Sequence, residues 1–358
     1  TVRYTPAVVQ VVTFTDDGYI QVNPADEILA TTNASGGGDI LSYYWRVRFR
    51  DFAASPTVAY NFNYADSDVG GTEANYVPGR VLDSTPFTRA TDGATNDVNT
   101  TTNIIYFNGA STGATFPGSG FTLVAASYTA GTSARFTGAP TIYYSRSATA
   151  TGFPGLRWDQ ASSWSTVSHT GAAAASFPQA GDVAIIGSGN TGANNHHAVD
   201  VNSAVAQAAQ VVFAAVPPGT FQPRLTIQEN QGVNFGRVSG PGTVMVRATN
   251  LLVPSIVGDF GDFANEVTSL YDYLSEAGAL ITLPTNPSVF PNLRFEGGTA
   301  AFGRKMTIPT DITVRRNLLI NQQADFVLGG NVTVGGNLSL SDNTPGRLEF
   351  PTSGSSYT

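Results

Sequence analysis

The sequence has no cysteine, which excludes a disulfide framework, a thiolate metal site and a cysteine nucleophile. Lysine is reduced to Lys305 alone, and the remaining positive charge is arginine, with no basic run anywhere. Charged residues make up 12% of the chain, about half the usual share. A net charge of −8 and a pI near 4.8 argue against nucleic acid or an anionic membrane as the main partner. No apolar run is long enough to span a bilayer, and no signal peptide is recognisable at Thr1. The repeat pattern described below runs up to Thr358, which leads us to expect a segment of a longer chain.

A hydrophobic share of 41% in 358 residues is too high for a disordered chain and ample for a core. The apolar residues come in short runs separated by Gly, Asn, Asp, Ser and Pro, the punctuation of β-structure. The expected fold is therefore all-β, in three parts: a β-sandwich over 1–140, a junction and cap over 141–180, and stacked rungs over 181–358.

In the first part apolar and polar residues alternate in "VVQVVTF" (8–14), "TVAYNFNYAD" (57–66), "NIIYFNG" (103–109) and "GFTLVAASYT" (120–129). In "SYYWRVRFRDF" (42–52), Tyr44, Arg46, Arg48 and Arg50 share one face, opposite Trp45, Val47, Phe49 and Phe52. That pattern predicts a strand wet on its arginine side. Several such strands at this spacing predict an antiparallel sandwich. In the junction, Trp158 and Trp164 stand in small, polar sequence, and we expect them to cover the end of the next core.

The third part holds an internal repeat. "DITVRRNLLIN" (311–321) matches "NVTVGGNLSLS" (331–341) at an offset of 20 residues throughout. Val314 aligns with Val334, Asn317 with Asn337, and Leu318 with Leu338, while "NLRF" (292–295) repeats the Asn-Leu core at Asn292. Repeats of about 20 residues built from short strands predict a parallel β-helix, each rung burying its apolar face under the next. Asn292, Asn317 and Asn337 are then expected to form a stacked amide ladder. Earlier rungs are expected at 182–189, 209–215, 224–229 and 242–248. The stretch 258–284 departs from the pattern and predicts an insertion: an elaborated loop or a short helix through Glu266, Leu270 and Tyr273.

The segments "YYSR…W…SSWST", "PQAGDVAIIGSG", "FPNLRFEGG" and the paired "ITV..NL.I" and "VTVGGNLSL" resemble giant modular surface proteins of Bacteroidota. Those proteins are exported by the type 9 secretion pathway and include gliding-motility adhesins. The resemblance runs over most of the chain and is strongest from 141 to 350. It implies a secreted, cell-surface adhesin or filament protein with no catalytic motif. The implied partners are other domains of a longer parent chain, the secretion machinery, further copies of the chain and surface glycans.

Catalytic chemistry finds little purchase. Of the histidines His169, His196 and His197, the last two are adjacent and, on a strand, point to opposite faces; "GSGNTGANN" before them reads as a turn. No G-x-S-x-G elbow occurs, and the Gly-rich stretches lack the Lys-Ser/Thr of a phosphate loop. Parallel β-helices host polysaccharide hydrolases and lyases, and inverting hydrolysis needs two spaced carboxyls. Asp259 and Asp262, with Glu266 or Asp272, are the best acid cluster. Lys305 and the pair Arg315–Arg316 are too isolated to build a lyase site.

For calcium, which takes carboxylate and carbonyl oxygens, Asp16 and Asp17 in "DDG" and Asp66 and Asp68 in "YADSDVGG" are the candidate ligands. The plainer reading makes them solvated loop acids. Tyr60, Tyr64, Tyr76, Tyr143 and Tyr144 are candidates for stacking on sugars. The expected role is thus a rigid spacer and contact surface, without catalysis or a resident cofactor. The alternative is a glycan-binding module or a polysaccharide-active β-helix enzyme.

Overall fold

The structure, a computed structural model, describes residues 5–32, 38–52, 56–83, 86–91, 97–107, 124–146, 156–187, 198–202, 206–217, 222–229, 231–249, 253–277, 280–297, 304–321, 324–340 and 347–349. The fold is all-β and divides into two compact units, Thr1–Pro140 and Thr141–Thr358.

Unit 1 is antiparallel. One sheet has the order β1-β4-β8-β7, from Ala7–Thr13, Thr57–Asn63, Ile104–Phe107 and Asp97–Asn99. The other has the order β2-β3-β9-β5-β6, from Tyr19–Ala25, Tyr44–Arg50, Val124–Gly131, Val77–Leu82 and Thr88–Thr91. Alternation in β3 and β4 sends one row of each strand inward, and the two sheets share one apolar cluster. Rings from opposite sheets pack directly: Trp45 stacks on Phe62 at 4.8 Å, and Tyr128 meets Tyr60 at 5.0 Å and Phe107 at 4.9 Å. Such offset and edge contacts add to the area buried by each ring.

The arginine face of β3 is covered at Tyr44 and Arg46, contrary to the alternation pattern. Arg46 is 7% exposed and ion-pairs with Asp83 at 2.8 Å, and the Tyr44 hydroxyl donates to Glu27 at 3.1 Å. A charge enters the interior when a partner carboxylate offsets its lost hydration. Asp83 lies beyond the end of β5, too far along the chain for period-2 reading to couple it to Arg46.

Unit 2 is dominated by parallel pairing. The longest sheet has the order β11-β14-β17-β19-β21-β24-β27-β30, from Leu156–Arg157, Ala198–Val201, Arg224–Ile227, Thr243–Thr249, Leu270–Ala277, Asn292–Glu296, Leu318–Asn321 and Leu338–Leu340. A second follows β12-β10-β13-β16-β18-β15, with β20 also on β18, from Trp164–Ser165, Ile142–Ser145, Val183–Ile186, Gln210–Phe213, Gly232–Ser239, Ala206–Ala208 and Ser255–Asp259. A third stacks β22-β25-β28-β31 (Leu280–Thr282, Arg304–Ile308, Ala324–Leu328, Arg347–Glu349), and a fourth β23-β26-β29 (Val289–Phe290, Ile312–Val314, Val332–Val334). From β22 onward the chain visits three ladders in a fixed order, and each visit lays a strand beside the last. Among the described residues of the unit, β12 pairs antiparallel with β10 and the other strand pairings are parallel.

The repeat in the sequence is the register of these ladders. Val314 pairs with Val334, and Leu318 with Leu338. Val314 and Leu318 are buried with Ile320 in one continuous cluster that runs back through Phe295, Tyr273, Val246, Ile227 and Val201. Tyr273 stacks on Phe295 at 5.7 Å and Phe295 on Phe326 at 4.3 Å. At the other end Trp158 and Trp164 are 1% and 0% exposed, edge to face at 5.1 Å, with Trp158 against Phe235 at 5.2 Å. The Trp164 indole donates to the Trp158 carbonyl at 2.9 Å, the partner a buried indole N–H needs.

The expected insertion at 258–284 is corrected. A 3₁₀ turn, Phe263–Asn265, follows β20, and residues 270–277 form β21, flanked by β19 and β24 in the longest sheet. The spacing of Glu266, Leu270 and Tyr273 suggested a helix, but Tyr271 and Tyr273 both enter the core. Period-2 burial on both sides of the sheet overrides the local 3.6-residue coincidence.

Candidate functional site

The chemistry-bearing surface of unit 2 is the outer face of its longest sheet. Val199, Leu225, Val244, Tyr271, Leu293 and Leu318 align across neighbouring strands and face the core. One residue along each strand, the side chains must point the other way. That outer row reads Arg157, Asp200, Thr226, Met245, Asp272, Arg294 and Leu319. Parallel register thus brings residues far apart in sequence side by side.

Asp272 and Arg294, directly opposed on β21 and β24, form a forked pair. Arg294 Nε donates to Oδ1 at 3.1 Å and its terminal nitrogen to Oδ2 at 2.7 Å. Glu296, two positions along β24, reaches Arg294 Nε at 3.1 Å. Asp272 is fully buried while the Arg294 side chain is 28% exposed. Burial opposes the Arg294 charge, but the hydrogen bonds and charge of Asp272, with the charge of Glu296, outweigh it and raise its pKa. Glu296 is pushed up from the usual carboxylate value, first by burial and then by Asp272, against the pull of Arg294 and a bond from Asn321. Burial also raises Asp200, against Thr226, Arg224 and Arg247. The face therefore carries two carboxyls with raised proton affinity and one locked ion pair.

Of the acids expected to cluster, Asp259, Asp262 and Asp272 are engaged with other groups. Asp262 is paired with Arg237 at 2.6 Å, and Asp259 accepts the Gly261 N–H at 2.8 Å, closing a turn. Asp272 belongs to the pair on β21. Among the described residues no group of three or more His, Asp or Glu side chains is placed to hold a metal. Of the calcium candidates, Asp16 and Asp17 lie in the bend after β1, while Asp66 and Asp68 form a 3₁₀ turn. Asp68 is buried, and its Oδ2 accepts the Ala65 N–H at 2.9 Å; Asp66 accepts from the Asn103 side chain. Both serve the turn.

The tyrosines named as sugar platforms are mostly core residues. Tyr60, Tyr64, Tyr76 and Tyr143 are buried, and Tyr144 is half-buried with its ring edge-on to His169 at 5.4 Å. Alternation can place most of these residues in cores, and burial follows that alternative; Tyr64 and Tyr76 lie just outside β4 and β5. His169 donates from Nδ1 to the Ser145 carbonyl at 2.6 Å, and burial lowers its pKa against that bond. His196 and His197 lie outside the described residues.

The asparagine ladder is present in the hydrogen bonds. Asn292 Nδ2 donates to the carbonyls of Val267 and Ser269 at 3.2 and 2.8 Å. Asn292 Oδ1 accepts from Asn317 Nδ2 at 3.2 Å, and Asn317 Oδ1 accepts the Asn337 N–H at 3.1 Å. A parallel ladder escaped the sequence reading: Asp311 takes the Asn331 N–H at 2.8 Å and its side-chain amide at 3.2 Å, which lowers the Asp311 pKa. The 20-residue offset would have found it, since Asp311 and Asn331 open the two aligned copies.

Together the two units define a class: an all-β protein of an antiparallel unit and a parallel-stacked unit whose outer face is laced by internal polar pairs. No family model matches the chain, and no curated protein or solved structure matches it significantly. Among the described residues no helix is long and apolar enough to cross a membrane.

Proposed function

We propose that unit 2 is a parallel β-helix, unit 1 a β-sandwich, and the chain a non-catalytic segment of a secreted bacterial cell-surface adhesin or filament protein. In this reading the stacked rungs are a rigid spacer and contact surface. The observation that carries it is the fixed order in which the chain revisits its parallel ladders, bound by the Asn292–Asn317–Asn337 ladder. Such a stack lengthens by about 4.8 Å per rung with no change in cross-section, which suits reach. The polar groups of its outer face are spent on one another, as the Asp272–Arg294 fork illustrates. The resemblance to modular surface proteins of Bacteroidota supports the same role, at the cell surface and within a longer parent chain.

The test is electron microscopy of surface material from source cells with antibody against this segment. Labelled rods or filaments are expected; label confined to compact particles overturns the reading. Asp200 on β14 and Glu296 on β24 both hold protons more tightly than usual, but β17, β19 and β21 lie between them, about 19 Å at about 4.8 Å per strand, too far for the paired carboxyls of a glycosidase. Release of sugar ends over many turnovers by the chain would overturn the non-catalytic reading.

A further inference from the structure

Exposed apolar side chains on unit 1 include Val8, Val11 and Val12 on β1 and Phe14 just after it. β1 closes one side of its sheet, and among the described residues its single partner is β4. The strand carries no charge and no proline from Ala7 to Thr13. Natural edge strands are usually blunted by such residues against pairing with another chain. Here the one blunting device is a bulge between Val11 and Thr13.

The direction of the free backbone groups follows from one hydrogen bond. The Asn63 N–H donates to the Pro6 carbonyl at 3.1 Å, so Pro6 and, by alternation, Val8 and Gln10 turn their backbone groups toward β4. Ala7, Val9 and Val11 therefore turn theirs toward the open edge. The sequence along that edge, "VVQVV" (8–12), reads the same in both directions about Gln10. Two copies laid antiparallel about Gln10 put Val9 opposite Val11 of the other copy, so edge-facing groups meet edge-facing groups in both directions. Val8 then faces Val12, and Gln10 faces itself in a non-hydrogen-bonded pair, where side chains approach most closely.

We propose that β1 is the edge at which a second copy of this chain adds, joining two four-stranded sheets across a two-fold axis at Gln10. The pairing is self-complementary, as a two-fold interface requires. It covers the Val8 and Val12 side chains of both copies, and no like charges meet along it. This inference stands apart from the proposed spacer role, since it concerns unit 1 alone.

Because the chain has no cysteine, a single introduced thiol reports the register. Gln10 is exposed, so its replacement leaves the fold intact. In Gln10→Cys the two thiols face each other across a Cα separation of about 4.5 Å, within the range a disulfide spans. In Val8→Cys each thiol faces a valine instead. The full-length chain at about 100 µM, suited to a small interface, should sediment partly as a dimer, and mild oxidation should cross-link Gln10→Cys at least tenfold faster than Val8→Cys. Gln10→Lys, which opposes two ammonium groups, should be monomeric at the same concentration. A monomeric parent chain with equal cross-linking of the two cysteine variants overturns the proposal. A dimer that Gln10→Lys leaves intact also overturns it, because that dimer uses another face.

Discussion

Arg294→Met should cost unit 2 about 3 kcal/mol, roughly twice the cost of Asp272→Asn, although each removes half of the same ion pair. Removing one partner of a buried pair typically costs about 3–5 kcal/mol, because a charge is left without compensation in a low dielectric. The two halves differ in what remains. In Arg294→Met the survivor is Asp272, at 0% exposure and cut off from water. In Asp272→Asn the survivor is Arg294, which is 28% exposed and keeps Glu296 at 3.1 Å. Solvent and the second carboxylate relieve it, so a loss of about 1.5 kcal/mol is expected. Removing both charges, as Asp272→Leu with Arg294→Met, leaves nothing uncompensated and should return stability to within about 1 kcal/mol of the parent. For a domain of about 200 residues each kcal/mol moves the melting temperature by about 2–4 °C. Calorimetry of the full chain should therefore show the unit 2 transition lowered by about 6–12 °C in Arg294→Met, by about half that in Asp272→Asn, and largely restored in the double variant. Equal losses in the single variants, or a double variant as unstable as Arg294→Met, would refute the reasoning.

Asn317→Ala cuts the amide ladder on both sides and should cost about 1–2 kcal/mol, with faster hydrogen exchange at the Asn337 amide as the local readout. Trp164→Ala empties a site that is fully buried beneath Trp158 and should cost about 3–5 kcal/mol; calorimetry should place the loss in the unit 2 transition. His169 gives a pH test. Its folded pKa lies below the ordinary 6.5, so its contribution is complete above pH 6.5 and is lost as pH falls through the lowered value. His169→Gln should flatten urea midpoints across that window. Glu296 has the opposite sign: its folded pKa lies above the ordinary 4.5, so stability falls as pH rises from there through the folded value. Glu296→Gln should remove that decline.

What was legible in the sequence follows from how far apart the interacting residues are. Period-2 alternation located β3, β4, β8 and β9, because a strand's own neighbours decide which faces exist. It did not say that the Arg46 face would be covered, since the covering charge, Asp83, lies just past the end of β5, 37 residues along the chain. The 20-residue offset gave the register of β26 with β29 and of β27 with β30, and with it the positions of Asn317 and Asn337. Upstream, the connections between stacked strands vary in length, the offset drifts, and residues 258–284 read as an insertion although β21 is an ordinary member of its sheet. The Asp272–Arg294 fork was hidden for that reason. Both residues are visible in the sequence, but only the β21–β24 register makes them neighbours.

The same register explains how a stacked architecture of this kind holds polar residues on its sheet faces. Each strand receives an adjacent strand on either side, so an outward side chain has a neighbour about 4.8 Å away above and below. An acid opposite an arginine on the next strand is neutralised at once, as Asp272 is by Arg294. An amide opposite an amide passes its hydrogen bond along, as Asn292 does to Asn317 and Asn317 to Asn337. A reactive constellation needs convergence: several groups aimed at one point that they leave open for a substrate. The Asp272–Arg294 and Asn292–Asn317–Asn337 bonds are directed along the stack, and the stabilisation they supply is shared between strands far apart in the chain. That arrangement resists separation of neighbouring strands.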